Sequence, residues 1–338
     1  MTGINVLSLF DGVSCGRLAL DRANIPIRKY YAAEIDPYAI STTKRNYPDT
    51  IQIGDVLVAK GDKLPKIDLL IGGSPCQGFS MAGKKLNFDD PRSKLFFEYV
   101  RLLKECKPEY FALENVRMNK EHEEIITDIL GVQPIEINSA LVSAQNRKRL
   151  YWTNIPGIRQ PKDKHILLEE VVDKDALVDR EKAHAIIASI GRTTHREYFK
   201  KNQGQLVYSA IALSNIYGGF KETRPRVHLG KAPTIRTAAG GGHIPSLIIN
   251  GEHREFTLEE IKKITRKVNP GECERLQTMP TGWTAGTSAT QRYKMIGNAW
   301  TVDVVSHILG HMPYDRIEGA LSEVPVKAHS QTNLGVWC

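Results

Sequence analysis

A thiol is presented by the stretch Gly72-Gly73-Ser74-Pro75-Cys76-Gln77, which follows the apolar run 67–71. That run is typical of a buried strand, so Cys76 is expected at the carboxyl end of a sheet, where open α/β folds bind ligands. Pro75 fixes one backbone angle before the thiol, and the glycines allow a ligand or a second backbone to approach closely. A buried cysteine in a turn is the competing interpretation, and the residues downstream argue against it.

A carboxyl group and two guanidinium groups are expected near this thiol. A strand predicted at 110–113 ends in Glu114-Asn115-Val116, so the carboxyl group and the thiol converge at neighbouring strand ends. Arg147 and Arg149 precede a strand predicted at 150–153, and on extended backbone they point to the same face. Two guanidiniums on one side suit an anionic or carbonyl-rich ligand, and a solvated, charged strand end fits them equally well.

The elements that position these groups alternate between strand and helix. Strands are predicted at 4–10, 27–33, 51–53, 67–71, 110–113, 132–137 and 150–153. Helices are predicted at 17–23, 37–46, 94–103, 121–130, 258–264 and 270–277, with a last helix ending near 309. This alternation predicts an α/β fold with a doubly wound sheet. A polar loop at 81–91 has the composition of a mobile lid.

The opening of the chain predicts a nucleoside site. A turn at 11–16 joins the first strand to the first helix, as in nucleotide-binding folds. It contains Gly12 and Gly16 but does not match GxGxxG, which favours a mononucleoside-type cofactor over a dinucleotide. Glu34 ends the second strand and is predicted to accept hydrogen bonds from ribose hydroxyls. Asp36, directly before Pro37, is predicted to cap the next helix.

The end of the third strand supplies a weaker signal for the same site. Asp55 could accept a hydrogen bond from an exocyclic amine, while Val56 packs on a purine face.

Charge and composition indicate the partner. The formal charge is +8, and segment 191–240 alone holds nine lysines and arginines against two acidic residues, a local charge of +7. With aromatic residues interleaved on loop-rich sequence, this segment is typical of nucleic-acid binding.

The five cysteines contain no CxxC pair, and no signal peptide or apolar run of ~20 residues is found, so a cytoplasmic protein without structural zinc is expected.

Taken in order, these blocks closely resemble the cytosine-C5 DNA methyltransferases, over about residues 4–310. The matching blocks are Phe10-Asp11-Gly12, Glu34-Ile35-Asp36, Gly54-Asp55-Val56, Gly73 through Gln77, Glu114-Asn115-Val116, Gln145 through Arg149, Arg266 through Pro280, and Gly297-Asn298. The resemblance implies a Rossmann-like, S-adenosylmethionine-dependent methyltransferase fold with a mixed, mostly parallel sheet. It also implies a catalytic domain at 1–158 and 258–310, a small irregular target-recognition domain at 159–257, and a tail at 311–338.

The family's chemistry assigns roles to the converging groups. Cys76 adds to C6 of a cytosine and turns C5 into a nucleophile, which takes the methyl group of S-adenosylmethionine. Glu114 binds N3 and the exocyclic amine, Arg149 holds the base carbonyl, and Arg147 supports the covalent intermediate. Because these ring atoms are hidden in a duplex, the cytosine must first be flipped out.

The resemblance also implies the binding residues. Those for the cofactor are Phe10, Asp11, Gly12, Gly16, Glu34, Ile35, Asp55, Val56, Leu95, Asn298 and Ala299. Those for DNA are Gln77, Ser80, Arg92, Lys221, Arg224, Thr234 and Arg236. Many relatives place an aromatic or another large apolar residue where Ile35 stands, a departure that weakens the case for ring stacking but not for cofactor binding.

Three other functions compete with this one. A tRNA cytosine-5-methyltransferase shares the fold, but the Cys-Phe-Thr element of those relatives is missing. An inactive DNA-binding regulator would not need Cys76, Glu114, Arg147 and Arg149, and a nicotinamide dehydrogenase is disfavoured by the missing GxGxxG. The expected protein is a monomer that acts on double-stranded DNA in a bacterial or phage-infected cell, with a restriction endonuclease as a candidate partner.

Overall fold

The computed structural model describes most of the residues outside 159–257 and parts of that segment, which is called here the insertion. The described residues are 3–74, 91–174, 176–178, 180–192, 194, 198, 204–209, 212–215, 226–227, 246–249, 252–255 and 265–317. The predicted helix at 258–264 and residues 81–90 of the predicted lid lie outside them.

Seven strands form the central sheet. They are β1 Ile4–Leu9, β2 Ile27–Ala33, β3 Ile51–Gln52, β4 Leu69–Gly72, β5 Tyr110–Val116, β6 Ile135–Asn138 and, after the short β7 Gln145–Asn146 outside this sheet, β8 Lys148–Thr153. Their order is β3-β2-β1-β4-β5-β8-β6. β8 runs antiparallel to both of its neighbours, whereas the pairs formed by β1 to β5 are all parallel. The mixed, mostly parallel sheet is confirmed.

Seven helices surround the sheet in the described chain. They are α1 Cys15–Arg22, α2 Pro37–Asn46, α3 Pro91–Cys106, α4 Lys120–Leu130, α5 Pro270–Leu276, α6 Ala289–Asn298 and α7 Val302–Leu309. Asp36 caps α2 by accepting a hydrogen bond from the Tyr38 backbone N–H at 3.0 Å, as the Asp-Pro pair predicts. None of these helices combines the length and apolar composition that crossing a bilayer requires.

Both faces of the sheet are covered, because successive side chains of a strand point to opposite sides. Val6 of β1 joins a core formed with α1, α6 and α7, whereas Leu7 and Leu9 join a second core formed with α3 and α4. The same alternation divides Leu70 from Ile71 in β4. A strand buried on both faces reads as an unbroken apolar run, which is why β1 and β4 are recognisable in the sequence.

A third core joins the beginning of the insertion to the catalytic region. It contains Leu168, Ala183, Ile186 and Ile190 together with Ile296 of α6 and other buried residues of 268–296. Residues 166–190, which the resemblance assigns to the recognition domain, therefore share a core with α5 and α6.

The remaining strands belong to small sheets. They are β9 Ala176–Leu177, β10 Ala183–His184, β11 Leu206–Ser209, β12 Ala212–Asn215, β13 Arg226–Val227, β14 Ser246–Ile249, β15 Glu252–Glu255 and β16 Thr265–Lys267. β10 pairs in parallel with β7, so the insertion lies alongside residues 145–146.

Several predicted boundaries need correction. α1 begins at Cys15 rather than 17, because Ser14 in the left-handed conformation ends the turn two residues earlier than predicted. The strand expected at 132–137 is β6, Ile135–Asn138. α3 extends beyond 94–103 at both ends, and β5 continues through Glu114 to Val116, where it pairs with β8.

Candidate active site

The turn after β1 is shaped by a buried carboxylate. Asp11 accepts hydrogen bonds from the hydroxyls of Ser14 and Tyr30, the latter at 2.8 Å, and burial raises the pKa of its carboxyl group. Phe10 and Gly12 on either side of it adopt positive φ, both 58°. The Asp11 side chain therefore orders the turn from inside, and the structure gives no support for its direct contact with a cofactor.

Glu34 lies at the carboxyl end of β2 and is fixed by backbone donors. Its Oε2 accepts from the N–H of Gly12 at 2.7 Å, and its Oε1 accepts from those of Ile35 and Asp36 at 2.7 and 2.8 Å. Nothing lies within 4 Å of the position that a Cβ on Gly12 would take, so the turn leaves open space above it. A fixed carboxylate beside open space is suited to bind ribose hydroxyls.

The residues predicted to surround an adenine have unequal exposure. Ile35 is 70% exposed, Leu95 on α3 is half-buried, and the Oδ1 of Asp55 accepts from the Leu57 N–H at 2.9 Å. Val56 is only 5% exposed and packs in the core shared with α3. Most of that side chain is used by the core, and its packing on a purine face stays a prediction. The Val56 carbonyl accepts from the Arg101 guanidinium at 3.0 Å, so the backbone N–H is what remains for a ligand.

An ion pair lies at the end of β5. The Nε of Arg149 is 3.0 Å from Oε1 of Glu114, and the two side chains are 15% and 13% exposed. The β5–β8 pairing sets Glu114 opposite Tyr151 and Val116 opposite Arg149. Because Gly72 is paired with Leu113, Glu114 also lies beside Gly73, two residues before Pro75-Cys76. The predicted convergence of this carboxyl group with the strand end that leads to the thiol is seen in the backbone.

Arg147 has a different environment from Arg149. It is 4% exposed, and its guanidinium donates to the carbonyl of Ile186 at 2.6 Å and to those of Ala299 and Gly297 at 3.0 and 3.4 Å. Its Nε is buried with no hydrogen-bond partner among the described residues. Burial, together with the nearby charge of Arg149, lowers the pKa of Arg147 to about 10.

Trp300 is a site residue that the sequence analysis does not identify. A Cβ on Gly73 would lie 2.8 Å from its indole Nε1 and 3.0 Å from Oε2 of Glu114, and a Cβ on Gly16 would meet its ring and the Ile71 side chain. The indole thus lies between the first turn of α1 and the strand end before Cys76. Gly16 is required for this packing, and its contact with a cofactor stays a prediction.

The last residue of α6 and the residue that follows the helix differ in exposure. Asn298 is exposed, as expected for a residue that lines a pocket, whereas Ala299 is buried and its carbonyl oxygen faces Arg147. The role that the structure supports for Ala299 is this contact with Arg147.

The cysteines that the structure describes are Cys15, Cys106 and Cys273, and burial raises the thiol pKa of each, to about 12 for Cys15. A thiol with so high a pKa is a poor nucleophile at neutral pH.

Several predicted residues cannot be placed. Cys76, Gln77, Ser80, Lys221, Arg224, Thr234 and Arg236 lie outside the described residues. Arg92 is in the first turn of α3, and the DNA contact expected of its side chain stays a prediction.

The chain matches known proteins over nearly all of its length. A family described as C-5 cytosine-specific DNA methylase matches residues 4–313. The type II methyltransferase M1.ScrFI of Lactococcus lactis subsp. cremoris is 29% identical over 333 residues, covering 91% of this chain and 77% of that protein. M.HhaI of Haemophilus parahaemolyticus, also a type II methyltransferase, is 27% identical over 341 residues, covering 91% of this chain and 94% of that protein.

A solved structure shows the same fold. The Dnmt2 methyltransferase of S. pombe superposes with a TM-score of 0.59 at 18% identity, covering 91% of this chain and 97% of that one. Sheet order and this likeness define an α/β fold of the Rossmann-like class. Within that class, the chain belongs to the C-5 cytosine-specific DNA methylase family and is a DNA cytosine-C5 methyltransferase.

Proposed function

We propose that this protein flips a cytosine out of double-stranded DNA and methylates C5 through a covalent adduct with Cys76. The observation that carries the proposal is the Glu114–Arg149 ion pair. This pair lies beside Gly73, and the chain continues from Gly73 to the Cys76 thiol. A carboxyl group and a guanidinium at one point are complementary to the N3, amine and carbonyl edge of a cytosine. The high pKa values of the described thiols leave Cys76 as the better candidate nucleophile.

S-adenosylmethionine is the proposed methyl donor, and the residues present fit its adenosine. The fixed Glu34 carboxylate faces the open space above Gly12, and Oδ2 of Asp55 accepts no hydrogen bond from the described chain. Glu34 would hold the ribose, and Asp55 with the Val56 backbone would hold the adenine. When bound there, this cofactor supplies an electrophilic methyl group for C5.

The protein's own groups then account for the remaining chemistry. The Cys76 thiolate forms a bond to C6, and the ring electrons shift toward C5 while Glu114 shares a proton with N3. Arg149 donates to the base carbonyl, and the positive charge of Arg147 lies behind it, so both favour the electron-rich adduct. After methylation, water takes the C5 proton, and the electrons of that C–H bond form the C5–C6 double bond as the thiolate leaves C6, which restores the aromatic ring.

The basic insertion is proposed to bind the duplex. Residues 159–257 would form the recognition domain, with 1–158 and 258–310 as the catalytic domain, and the local +7 charge of 191–240 supports contact with phosphates. We propose further that the enzyme acts as a monomer in the cytoplasm. The type II names of its relatives support a restriction endonuclease as partner.

Bisulfite sequencing of plasmid DNA from cells expressing the protein tests this function, with Cys76→Ser as the control. Methylcytosine in one short sequence context, missing from the control, is the expected result and would supply the recognition site. Equal methylation by the Cys76→Ser variant would refute the covalent mechanism. Unmodified DNA combined with modified cytosine in the tRNA of the same cells would assign the enzyme to the alternative substrate.

A further inference from the structure

Two buried glutamines connect the same backbone segments that hold Arg147. Gln145 accepts from the Ile186 N–H through Oε1 at 3.1 Å and donates through Nε2 to Oε1 of Gln277 at 2.8 Å. Gln277 in turn donates to the Ala299 carbonyl at 3.2 Å. Arg147 donates to the Ile186 and Ala299 carbonyls. Arg147, Ile186, Gln145, Gln277 and Ala299 therefore form a closed ring of hydrogen bonds, called here the glutamine ring.

The amide groups of this ring have every donor used. The two N–H bonds of Gln145 are directed to the Leu276 carbonyl and to Gln277, and those of Gln277 to the carbonyls of Ile296 and Ala299. The Gln277 oxygen also accepts from the Thr301 hydroxyl at 2.9 Å. Reversing the Gln145 amide would set its NH2 against the Ile186 N–H, so the orientation of that amide is fixed by its partners.

Burial makes this arrangement costly to disturb. Gln145 and Gln277 are fully buried, and Thr301 is nearly so. A buried amide or carbonyl that loses its partner keeps the full cost of its desolvation, so the ring adopts one geometry rather than several. The ring also joins parts of the chain that are far apart in sequence, namely β7, the beginning of the insertion, and α5 with the end of α6.

Arg147 depends on this geometry because its partners in the described chain are carbonyl oxygens rather than carboxylates. A carboxylate partner would attract the guanidinium over a range of positions, whereas a carbonyl holds it only where its lone pairs point. The two carbonyls with the shorter contacts belong to Ile186 and Ala299, the residues that the glutamines fix.

We infer that Gln145 and Gln277 are positioning residues that set the place of the Arg147 guanidinium behind Arg149 and Glu114. The inference rests on the role proposed above for Arg147. Neither glutamine touches the substrate. Their effect on methyl transfer passes through Arg147, because the ring holds the carbonyls that receive its hydrogen bonds.

A double-mutant cycle tests this inference with the full-length enzyme. The variants are Gln277→Met, Arg147→Met and the double variant, and the readout is the single-turnover rate of methyl transfer to plasmid DNA at saturating S-adenosylmethionine. Gln277→Met is expected to lower the rate at least about tenfold in the unaltered enzyme, since small misplacements of catalytic groups carry costs of this order. In the Arg147→Met background it should lower the rate less than about twofold, because residues that act as one unit are not additive.

A merely structural role predicts a different pattern. If Gln277→Met lowers the rate by the same factor in both backgrounds, or leaves the unaltered enzyme at full rate, the inference is overturned. A full rate for Arg147→Met alone overturns the role of Arg147 and with it the inference, whereas absence of methylation by the unaltered enzyme is a failure of the proposed function.

A milder variant covers the case in which Gln277→Met does not fold. Thr301→Val removes the hydroxyl that donates to Gln277 of the ring. Thr127→Val is its matched control, since Thr127 is buried and accepts from the Trp152 indole at 3.0 Å. Thr301→Val should lower the rate about threefold, and only when Arg147 is present. The inference fails if both valine variants lower the rate equally or if neither does.

Discussion

Replacement of Arg147 by lysine should make methyl transfer fall with rising pH relative to the unaltered enzyme. The surroundings of Arg147, mainly its burial and then the charge of Arg149, lower its pKa from the ordinary range of an arginine to about 10. The same lowering applied to a lysine, whose ordinary pKa is about 10.4, places that lysine near ~8. Arg147 itself, with a pKa of about 10, stays mostly charged up to pH 9.5.

The rate and the stability of Arg147→Lys should then change in opposite directions. Above pH ~8 the charged fraction of the lysine falls about tenfold per pH unit, and the rate relative to the unaltered enzyme should fall with it. The unfolded chain binds a proton up to a pKa of about 10.4, so between these values it holds more protons than the folded chain. The free energy of unfolding therefore rises with pH, by about 1 kcal/mol per pH unit.

Single-turnover rates and urea unfolding from pH 7 to 9.5 measure the two effects. Arg147→Met is the matched control, because it removes the guanidinium without adding a titrating group. Subtracting its unfolding free energies isolates the contribution of the lysine. A rate ratio to the unaltered enzyme that stays flat across this range, or a stability difference that falls with pH, would refute the reasoning.

Three further outcomes are expected. Glu114→Gln should lower the single-turnover rate steeply with little effect on DNA affinity, because it removes the proton shared with N3 and the charge facing Arg149; an unchanged rate would exclude that role. Gly73→Ala should lower the rate by about tenfold, because its Cβ would lie 2.8 Å from the Trp300 indole and 3.0 Å from Glu114. A normal rate in a folded variant would contradict this close packing. A variant lacking three basic side chains of the insertion should show a flatter salt dependence of DNA binding, by about one unit of slope per lost phosphate contact. An unchanged slope would indicate that these side chains do not contact the duplex. Those side chains are Lys221, Arg224 and Arg226.

Much of the fold follows from the sequence because its signals are local. β1 and β4 are buried on both faces, which produces unbroken apolar runs in the sequence. Asp36 before Pro37 is a helix-capping signal that depends only on neighbouring residues. The Glu114–Arg149 pair could be predicted from the sequence for a related reason, since each residue lies at the end of a strand that the sequence pattern identifies. Sheet order then brings the two strands together.

The glutamine ring and Trp300 could not be predicted in the same way. Gln145 and Gln277 are 132 residues apart and carry no charge, so neither composition nor periodicity indicates that their amides meet. Val56 shows the opposite difficulty, because one apolar side chain after a strand fits a ligand face and a core equally well. Only its packing against α3 shows that most of the side chain belongs to the core.

The crossing of residues 187–188 over α6 determines how recognition could be exchanged between relatives. A Cβ on Gly297 would overlap the backbone of Ile187 and Ala188, so these segments touch backbone to backbone, and a Cβ on Gly191 would lie 2.6 Å from the Tyr293 ring. A chimaera that imports a foreign insertion beginning at 159 would break this contact along with the core shared by Ile186 and Ile296. A graft that begins after 192 and ends before 265 keeps them. If residues 159–257 carry recognition as proposed, the portable unit of sequence specificity is smaller than that segment, and residues 166–192 belong with the catalytic body.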